Sequence, residues 1–155
     1  MSILLRSLLI FITVTLAISY ISTKFSPRLC FYKRWLYKER PWEKGGLFYQ
    51  KKFKIKKWKD KLPELADFVK TVFPKKYIRD YAESTLEAYM VECCRAELTH
   101  WLIILSTLFF PIFTPPFISL GIFLLACLLN LPFVMIQRYN RPRLKLIMKR
   151  KGYDI

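Results

Sequence analysis

The sequence is short of the residues that build metal and disulfide sites. It has one histidine, His100, and four cysteines with no CxxC pair. One histidine supplies no set of imidazole ligands, and di-iron bundles need a second Glu–His pair with further carboxylates. Cys93 and Cys94 are adjacent, Cys30 is near the first apolar segment, and Cys127 lies within the last one. We therefore predict no disulfide framework, no metal site and no bound cofactor.

Charge is missing from 35 consecutive residues, 102–136, although the net charge of the chain is +16. Hydrophobic residues make up 54% of its 155 residues, a combination typical of small membrane proteins with basic cytoplasmic parts. The apolar segments are Ile3–Ile21, Leu98–Phe113 and Phe117–Ile136. A spanning helix needs about 20 apolar residues, with tolerance to about 17. The middle segment has only 16 residues, so it either spans a thinned bilayer or re-enters without crossing.

The predicted fold is an all-α integral membrane protein with about three transmembrane or re-entrant helices. Residues 1–155 form a single membrane domain. Its parts are an N-terminal span (3–21), a basic, mostly helical cytoplasmic or interfacial region (23–97), a helical hairpin (98–136) and a basic cytoplasmic tail (137–155). Pro111, Pro115 and Pro116 favour a sharp turn at the hairpin tip. We interpret the first segment as a retained anchor rather than a signal peptide, because its apolar run is long and lacks a small-x-small cleavage site.

The distribution of basic residues predicts the orientation. Residues 23–97 hold 19 of the 27 lysines and arginines, the tail from Arg138 holds seven, and the hairpin tip holds none. Positive charge is retained in the cytoplasm, so the N-terminus and the tip are predicted outside the cell membrane, with the central region and the C-terminus inside. Phe31–Tyr37 mixes basic and aromatic residues. We interpret it as interfacial rather than nucleic-acid-binding, because it adjoins an apolar span.

The central region contains one turn and several candidate elements. Pro41–Gly46 indicates a turn, in which Gly45 and Gly46 allow positive φ. Leu47–Trp58 is compatible with either a short strand or an amphipathic interfacial segment. Helices are predicted over 63–73 and over 77–95, the second continuing into the middle apolar segment. The apolar stripe of the second helix comprises Tyr81, Leu86, Ala88, Tyr89 and Cys93.

Two polar strings, Arg95–Trp101 (RAELTHW) and Gln137–Arg143 (QRYNRPR), bracket the hairpin. A hairpin returns to the face where it began, so the two strings are expected to converge. Glu97 and His100 are three residues apart and share one helix face. A carboxylate there can orient the imidazole, which is the arrangement of a general base with its partner. We predict His100 and Glu97 as catalytic. The alternative is that His100 marks the membrane interface while Glu97 neutralises its basic neighbour.

The second string is rich in arginine, whose planar fork binds phosphate or carboxylate. The alternative is a stop-transfer flank that binds anionic lipid. Asn130, near Pro132 in the last apolar segment, is a costly polar group that is either functional or bonded to another helix. Including Trp58, the predicted substrate-binding residues are Arg95, Arg138, Asn140, Arg141, Arg143, Trp58 and Asn130.

Together, RAELTHW, the hairpin and NLPFVMIQRYNRPRL (residues 130–144) resemble a known family, as does KKWKDKLPE around Trp58. This family is the glycosyl-4,4'-diaponeurosporenoate acyltransferases, small bacterial membrane proteins of staphyloxanthin biosynthesis. The resemblance covers most of residues 40–150 and the N-terminal span. It implies an enzyme that esterifies a carotenoid-linked glucose with a fatty acyl chain.

The predicted function is therefore acyl transfer to a hydroxyl of a glycolipid or another amphiphile, at the cytoplasmic membrane face. No Cys or Ser stands in a nucleophile motif, which favours direct transfer from acyl-CoA, acyl carrier protein or a phospholipid as co-substrate. Membrane lipids are the expected partners, and nucleic acid is not. A homo-oligomer is expected because three short segments make a thin wall around a lipid chain. The alternatives are a lipid-binding or scaffold subunit without catalysis, and another lipid-modifying activity.

Overall fold

The computed structural model describes residues 2–62 and 81–153, which are helical wherever they are regular. Their α-helices are α1 (Ile3–Ser22), α2 (Leu47–Phe53), α3 (Glu83–Ser106) and α4 (Pro116–Arg150). Short 3-10 helices lie at Trp35–Tyr37, Pro41–Glu43, Ile55–Lys57, Lys59–Lys61 and Thr107–Ile112. These described ranges contain no β-strand, which confirms the all-α prediction and makes Leu47–Trp58 helical rather than extended. The helix predicted over 63–73 lies outside the described residues.

Within the described residues, three helices are long and apolar enough to cross a membrane: α1, α3 with its 3-10 extension to Ile112, and α4. Their outward side chains are large and apolar. Leu16 is 65% exposed, Phe117 75% and Leu128 72%. Exposed apolar surface on this scale is expected where lipid replaces water as the solvent. The predicted membrane fold with three apolar helices is therefore confirmed.

The long helix α4 is continuous through Ile136, which was the predicted boundary between the hairpin and the C-terminal tail. Pro116 is its first residue, where a missing N–H is tolerated. Pro132 and Pro142 lie inside it, and each removes one backbone hydrogen bond. At 1.5 Å per residue, 35 residues extend about 52 Å, whereas the hydrocarbon core is about 30 Å thick. The length of α4 therefore exceeds what a spanning helix needs.

The chain divides into two compact units, each with its own core. The first unit comprises Met1–Ser26 and Arg95–Val134. Its core joins α1, the end of α3 and the beginning of α4, and Phe11 meets Phe110 edge-to-face with centroids 6.4 Å apart. The buried members of this core are Phe11, Ile103, Phe110, Ile122 and Ala126. Their packing is what holds the two arms of the hairpin together.

The second unit comprises Pro27–Cys94 and Met135–Ile155 and has two small cores. One core packs α3 on the end of α4, through Leu86, Tyr89, Met90, Cys93, Leu144 and Met148. The other packs α2 and the segment after it on α4, through Tyr49, Ile55, Ile136 and Tyr139. The second unit therefore gathers most of the basic central region around the polar end of α4.

A glycine turn brings the central region against α4 within the second unit. Gly45 and Gly46 have φ of +65° and +81°, which confirms the predicted positive-φ turn. A Cβ atom added at Gly46 would lie 3.1 Å from the Tyr139 carbonyl oxygen, whereas one added at Gly45 would meet nothing within 4 Å. Glycine is thus required at position 46 for two reasons: the positive φ, and the close approach of the turn to the Tyr139 carbonyl.

Candidate active site

The only histidine of the chain is held from two sides within the first unit. His100 Nδ1, on α3, lies 2.8 Å from Asn130 Oδ1, on α4. The imidazole also stacks on the Phe133 ring, with centroids 4.8 Å apart and an interplanar angle of 13°. Asn130 is buried and His100 is half-buried. The ring orientation is therefore fixed by a hydrogen bond and by stacking.

The hydrogen bonds of Asn130 determine the tautomer of His100. Asn130 Nδ2 donates to the Ala126 carbonyl at 2.8 Å, so its Oδ1 is the atom that faces the imidazole. An amide oxygen only accepts, and the proton between the two side chains must therefore be on Nδ1 of His100. In the neutral ring this leaves the lone pair on Nε2. A histidine in this state can take a proton through Nε2, as a general base does.

Glu97 and Arg95 precede His100 on α3. The Glu97 side chain is fully buried, with 0% of its surface exposed. Arg95 Nη2 donates to the Phe25 carbonyl at 3.1 Å, which connects α3 to the chain that follows α1. The predicted orientation of His100 by Glu97, and the predicted contact of Arg95 with substrate, remain predictions. The orienting contact described here comes from Asn130, which the sequence placed among the substrate-binding residues.

A second polar cluster, in the second unit, is centred on Glu43. Its carboxylate is 2% exposed and accepts from Arg138 Nη1, at 3.1 Å to Oε1 and 3.2 Å to Oε2. Tyr49 Oη donates to Oε1 at 2.5 Å, and the Arg40 backbone N–H donates to Oε2 at 2.6 Å. Burial by itself would raise the pKa of Glu43, but these donors outweigh it and hold the pKa below 4.5. Glu43 is therefore ionised at neutral pH.

The arginines of the second string contact their own unit. Arg138 Nη2 donates to the Leu36 carbonyl at 3.1 Å, in addition to its pair with Glu43. Arg141 is 5% exposed, donates to the Tyr37 carbonyl at 3.3 Å and lies 5.6 Å from the centroid of that ring. Arg143 is exposed, and its Nη1 donates to Tyr139 Oη. These side chains are thus held in fixed orientations.

Trp58 and Asn140 are the remaining predicted site residues. Trp58 packs on the core around Tyr49 and Tyr139, and its Nε1 donates to the Phe53 carbonyl at 2.9 Å. Asn140 is half-buried on α4. Their predicted contact with substrate remains a prediction. So does the convergence of the two polar strings on one substrate, since the strings belong to different units.

A cavity of about 310 Å³ opens beside the Glu43 cluster, within the second unit. Its polar walls come from Phe31–Tyr37 and the residues after it, and from the polar end of α4. The lining residues are Tyr32, Lys33, Tyr37, Lys38, Glu39, Glu43, Met90, Arg138, Arg141, Pro142 and Lys145. Among the residues that the structure describes, no group of three or more His, Cys, Asp or Glu side chains could hold a metal ion.

Sequence reasoning missed Glu43 and Tyr49. For the segment that contains them, the sequence predicts only a turn followed by a short strand or an amphipathic stretch. One signal was available: Glu39 and Glu43 are the only acidic residues between Lys24 and Lys59, in a segment otherwise rich in lysine and arginine. A carboxylate in a segment with so few acidic residues and so many cations is a candidate for a buried ion pair.

Comparison with known proteins places the chain in a family. Residues 33–150 match the sequence profile of glycosyl-4,4'-diaponeurosporenoate acyltransferase. A protein of that name from Staphylococcus haemolyticus is 36% identical over 118 residues, which are 74% of this chain and 64% of that relative. One from Staphylococcus aureus strain Newman is 31% identical over 142 residues, covering 90% of this chain and 86% of the relative. Thus the chain spans less than two thirds of the first relative but most of the second. No solved structure matches the chain.

Proposed function

Since the chain belongs to the glycosyl-4,4'-diaponeurosporenoate acyltransferase family, we propose that it transfers a fatty acyl group to a hydroxyl of a glycosylated amphiphile. Membership confirms the predicted resemblance and the predicted enzyme class, an acyltransferase. The names of the relatives specify a glycosylated carotenoid carboxylate as their acceptor. A carotenoid glycoside is accordingly the first acceptor to test, and another glycolipid is the next.

The proposed chemistry is direct transfer assisted by His100. Nε2 takes the proton of the acceptor hydroxyl as the oxygen attacks the acyl carbonyl carbon. The new ester C–O bond forms, and the bond between the acyl carbon and the donor's leaving group breaks. His100 then returns the proton to that leaving group, so that no proton is gained or lost overall. Asn130 positions the base by keeping its other nitrogen protonated.

The single observation that carries this proposal is the His100–Asn130 pair at the end of RAELTHW. A histidine that only marked the membrane interface would not need a buried acceptor on one side and a stacked ring on the other. Burying an amide in an apolar unit is costly unless its hydrogen bonds are made, and Asn130 makes them to His100 and Ala126. The pair thus resembles a base with its orienting partner.

The proposal also includes the membrane arrangement. The N-terminus and the hairpin tip lie outside, and the basic second unit lies on the cytoplasmic face. The reason is that residues 23–97 hold 19 of the 27 lysines and arginines, and positive charge is retained in the cytoplasm. A cytoplasmic site has access to acyl-CoA, acyl carrier protein and the inner-leaflet phospholipids as acyl donors. No metal or other cofactor takes part in the proposed transfer.

Complementation in cells tests the proposal. We would express the chain in a Staphylococcus aureus strain from which the 31%-identical relative has been deleted, and analyse its lipids by mass spectrometry. The wild type is expected to add one acyl chain to the accumulated carotenoid glycoside. His100→Ala is expected to add none at equal abundance in the membrane. Thr13→Ala, which removes an exposed hydroxyl on α1, serves as the control.

Each outcome has a clear meaning. An acylated species formed by wild type and by Thr13→Ala, but absent with His100→Ala, supports the mechanism. Full acylation by His100→Ala would refute the role of His100 while leaving acyl transfer in place. No new acylated lipid from a membrane-inserted wild type would refute acyl transfer to this acceptor and favour the lipid-binding subunit.

A further inference from the structure

The cavity of about 310 Å³ in the second unit is lined by an excess of positive charge. Its walls include Arg138 and Glu43, whose charges neutralise each other through a two-point ion pair. The other charged groups on the walls are Lys33, Lys38, Arg141 and Lys145, together with one further carboxylate, Glu39. A concave surface with this balance attracts and concentrates anions, because the low-dielectric walls focus the field.

The cations around this cavity have different mobilities. Lys33, Lys38 and Lys145 are exposed, so their ammonium groups can move onto a ligand. Arg141 is 5% exposed and fixed by the Tyr37 carbonyl, so its guanidinium is preoriented. Lysine and arginine donors together are typical of sites that bind phosphate oxygens. One fixed arginine and three lysines that can move bind a phosphate ester better than a flat surface with a uniform charge would.

The size of the cavity limits what it can hold. Binding sites for whole ligands begin at about 300 Å³, so this cavity suits a compact headgroup whose remaining part extends outside. Tyr32, Met90 and Pro142 supply the less polar part of its wall. The α4 part of the cavity wall includes Arg138, Arg141 and Pro142 of the QRYNRPR string, by which the sequence resembles the acyltransferase family.

We propose that this cavity is the phosphate-binding site for the acyl donor, and that Lys33, Lys38, Arg141 and Lys145 bind a phosphate ester of that donor. The inference rests on the proposed acyl transfer, since it names the chemical class of the co-substrate: a fatty acyl group on a phosphorylated carrier. Arg138 also lines the cavity, where its guanidinium pairs with Glu43, and its predicted contact with substrate stays a prediction. Arg143, which contacts Tyr139, is not among the lining residues.

Two classes of acyl donor carry such a phosphate: a soluble coenzyme thioester and a membrane phospholipid. Binding measurements distinguish between them. Full-length protein in a nonionic detergent would be titrated calorimetrically with coenzyme A, with dioctanoyl phosphatidylglycerol and with inorganic phosphate. Saturable binding of coenzyme A identifies the soluble donor class, and saturable binding of phosphatidylglycerol identifies the lipid class. Inorganic phosphate is expected to bind more weakly than either, because it lacks the contacts outside the cavity.

A double substitution with a charge-matched control tests where the ligand binds. Lys33→Gln with Lys145→Gln removes two cations from the cavity wall, whereas Lys52→Gln with Lys57→Gln removes two exposed cations elsewhere in the second unit. We expect the first pair to raise the Kd of the bound ligand about tenfold or more and the second to change it less than about twofold.

Equal weakening by both pairs would overturn the site, because binding would then depend on net charge alone. Failure of both coenzyme A and phosphatidylglycerol to bind saturably would overturn it as well. A protein that binds the phosphorylated ligand here but transfers no acyl group would retain the site and refute only the proposed function.

Discussion

Glu43 and Arg138 form a two-point ion pair across 95 positions of the chain. The carboxylate is 2% exposed and the arginine side chain 13%, so both charges are largely removed from water. Tyr49 and the Arg40 backbone N–H supply the further hydrogen bonds that such a pair needs to be stable. The pair connects the central region to α4 and forms part of the wall of the proposed phosphate site.

Stability at acid pH is expected to depend on Glu43. The pKa of this carboxyl lies below 4.5 in the folded chain, so its contribution is fully present above that value. The contribution is lost as the pH falls from 4.5 through the lowered pKa, because the proton binds more tightly to the unfolded chain. Glu43→Gln should therefore show a flatter loss of thermal stability as the pH falls below the ordinary pKa of a glutamate. Detergent-solubilised protein followed by circular dichroism gives this measurement.

At neutral pH the same substitution should lower the free energy of unfolding by about 3–5 kcal/mol, since Arg138 keeps its charge but loses its counter-ion. Asp60→Asn is the control, because Asp60 is an exposed carboxylate whose pair with Lys59 contributes little. An acid profile for Glu43→Gln identical to that of wild type would contradict the prediction.

The tyrosine that donates to Glu43 should contribute separately. Tyr49→Phe removes an O–H donor at 2.5 Å from a buried carboxylate, and hydrogen bonds to charged groups are worth about 1.5–3 kcal/mol. Tyr153→Phe removes an exposed bond to a neutral carbonyl at 3.2 Å and should cost less. Chemical unfolding of the two variants compares them directly. A double substitution of Tyr49 and Glu43 that is strictly additive would show that the two side chains are not coupled.

The role of Asn130 is tested by two substitutions, one that removes the acceptor oxygen and one that keeps it. Asn130→Leu removes the acceptor for His100 Nδ1–H, so the base loses its tautomer and orientation. We expect kcat to fall about a hundredfold, with a KM close to that of wild type. Asn130→Asp keeps an oxygen acceptor facing the ring and should retain more activity. Steady-state kinetics with a carotenoid glycoside acceptor measure both. Equal turnover of Asn130→Leu and wild type would refute the positioning role.

The two turn glycines should differ in their tolerance of alanine. Both have positive φ, so either substitution carries a backbone penalty of about 1–2 kcal/mol. At Gly46 the new Cβ would also approach the Tyr139 carbonyl oxygen at 3.1 Å and its ring at 3.3 Å. Gly46→Ala should therefore melt at a lower temperature than Gly45→Ala. The reverse order would show that Tyr139 can move away without loss of packing.

Helical periodicity located most of the core of α3. Leu86, Tyr89 and Cys93 are buried as predicted. Tyr81 and Ala88 are exposed, Tyr81 precedes the first residue of α3, and Met90 occupies the stripe instead. Leu86, Tyr89, Met90 and Cys93 follow the i, i+3, i+4, i+7 pattern of one helix face, so the phase of the stripe could be obtained from sequence. Ala88 was included because it is apolar, although its position is on another face.

The contacts of the arginine-rich string were beyond sequence reasoning. The residue type predicted fixed, forked contacts. Both arginines are held in place, but Arg138 reaches Glu43 through Nη1 alone, and Arg141 donates a single Nη2 bond to the Tyr37 carbonyl. The sequence assigned them to substrate, but the contacts described here are with Glu43 and with the carbonyl of Tyr37. A fork that suits phosphate also suits a carboxylate, so composition does not distinguish a ligand from the protein itself.

The sequence by itself determined that this is an all-helical membrane protein of the acyltransferase family, because the length of apolar runs and the order of motif residues are local properties of the chain. It also identified His100 as the candidate base. Only the tertiary structure decided that Asn130 faces the imidazole and that Glu43 pairs with Arg138. The i, i+3 rule names neighbours on one helix. Partners 30 and 95 positions away are set by how helices and loops pack, which sequence spacing does not specify.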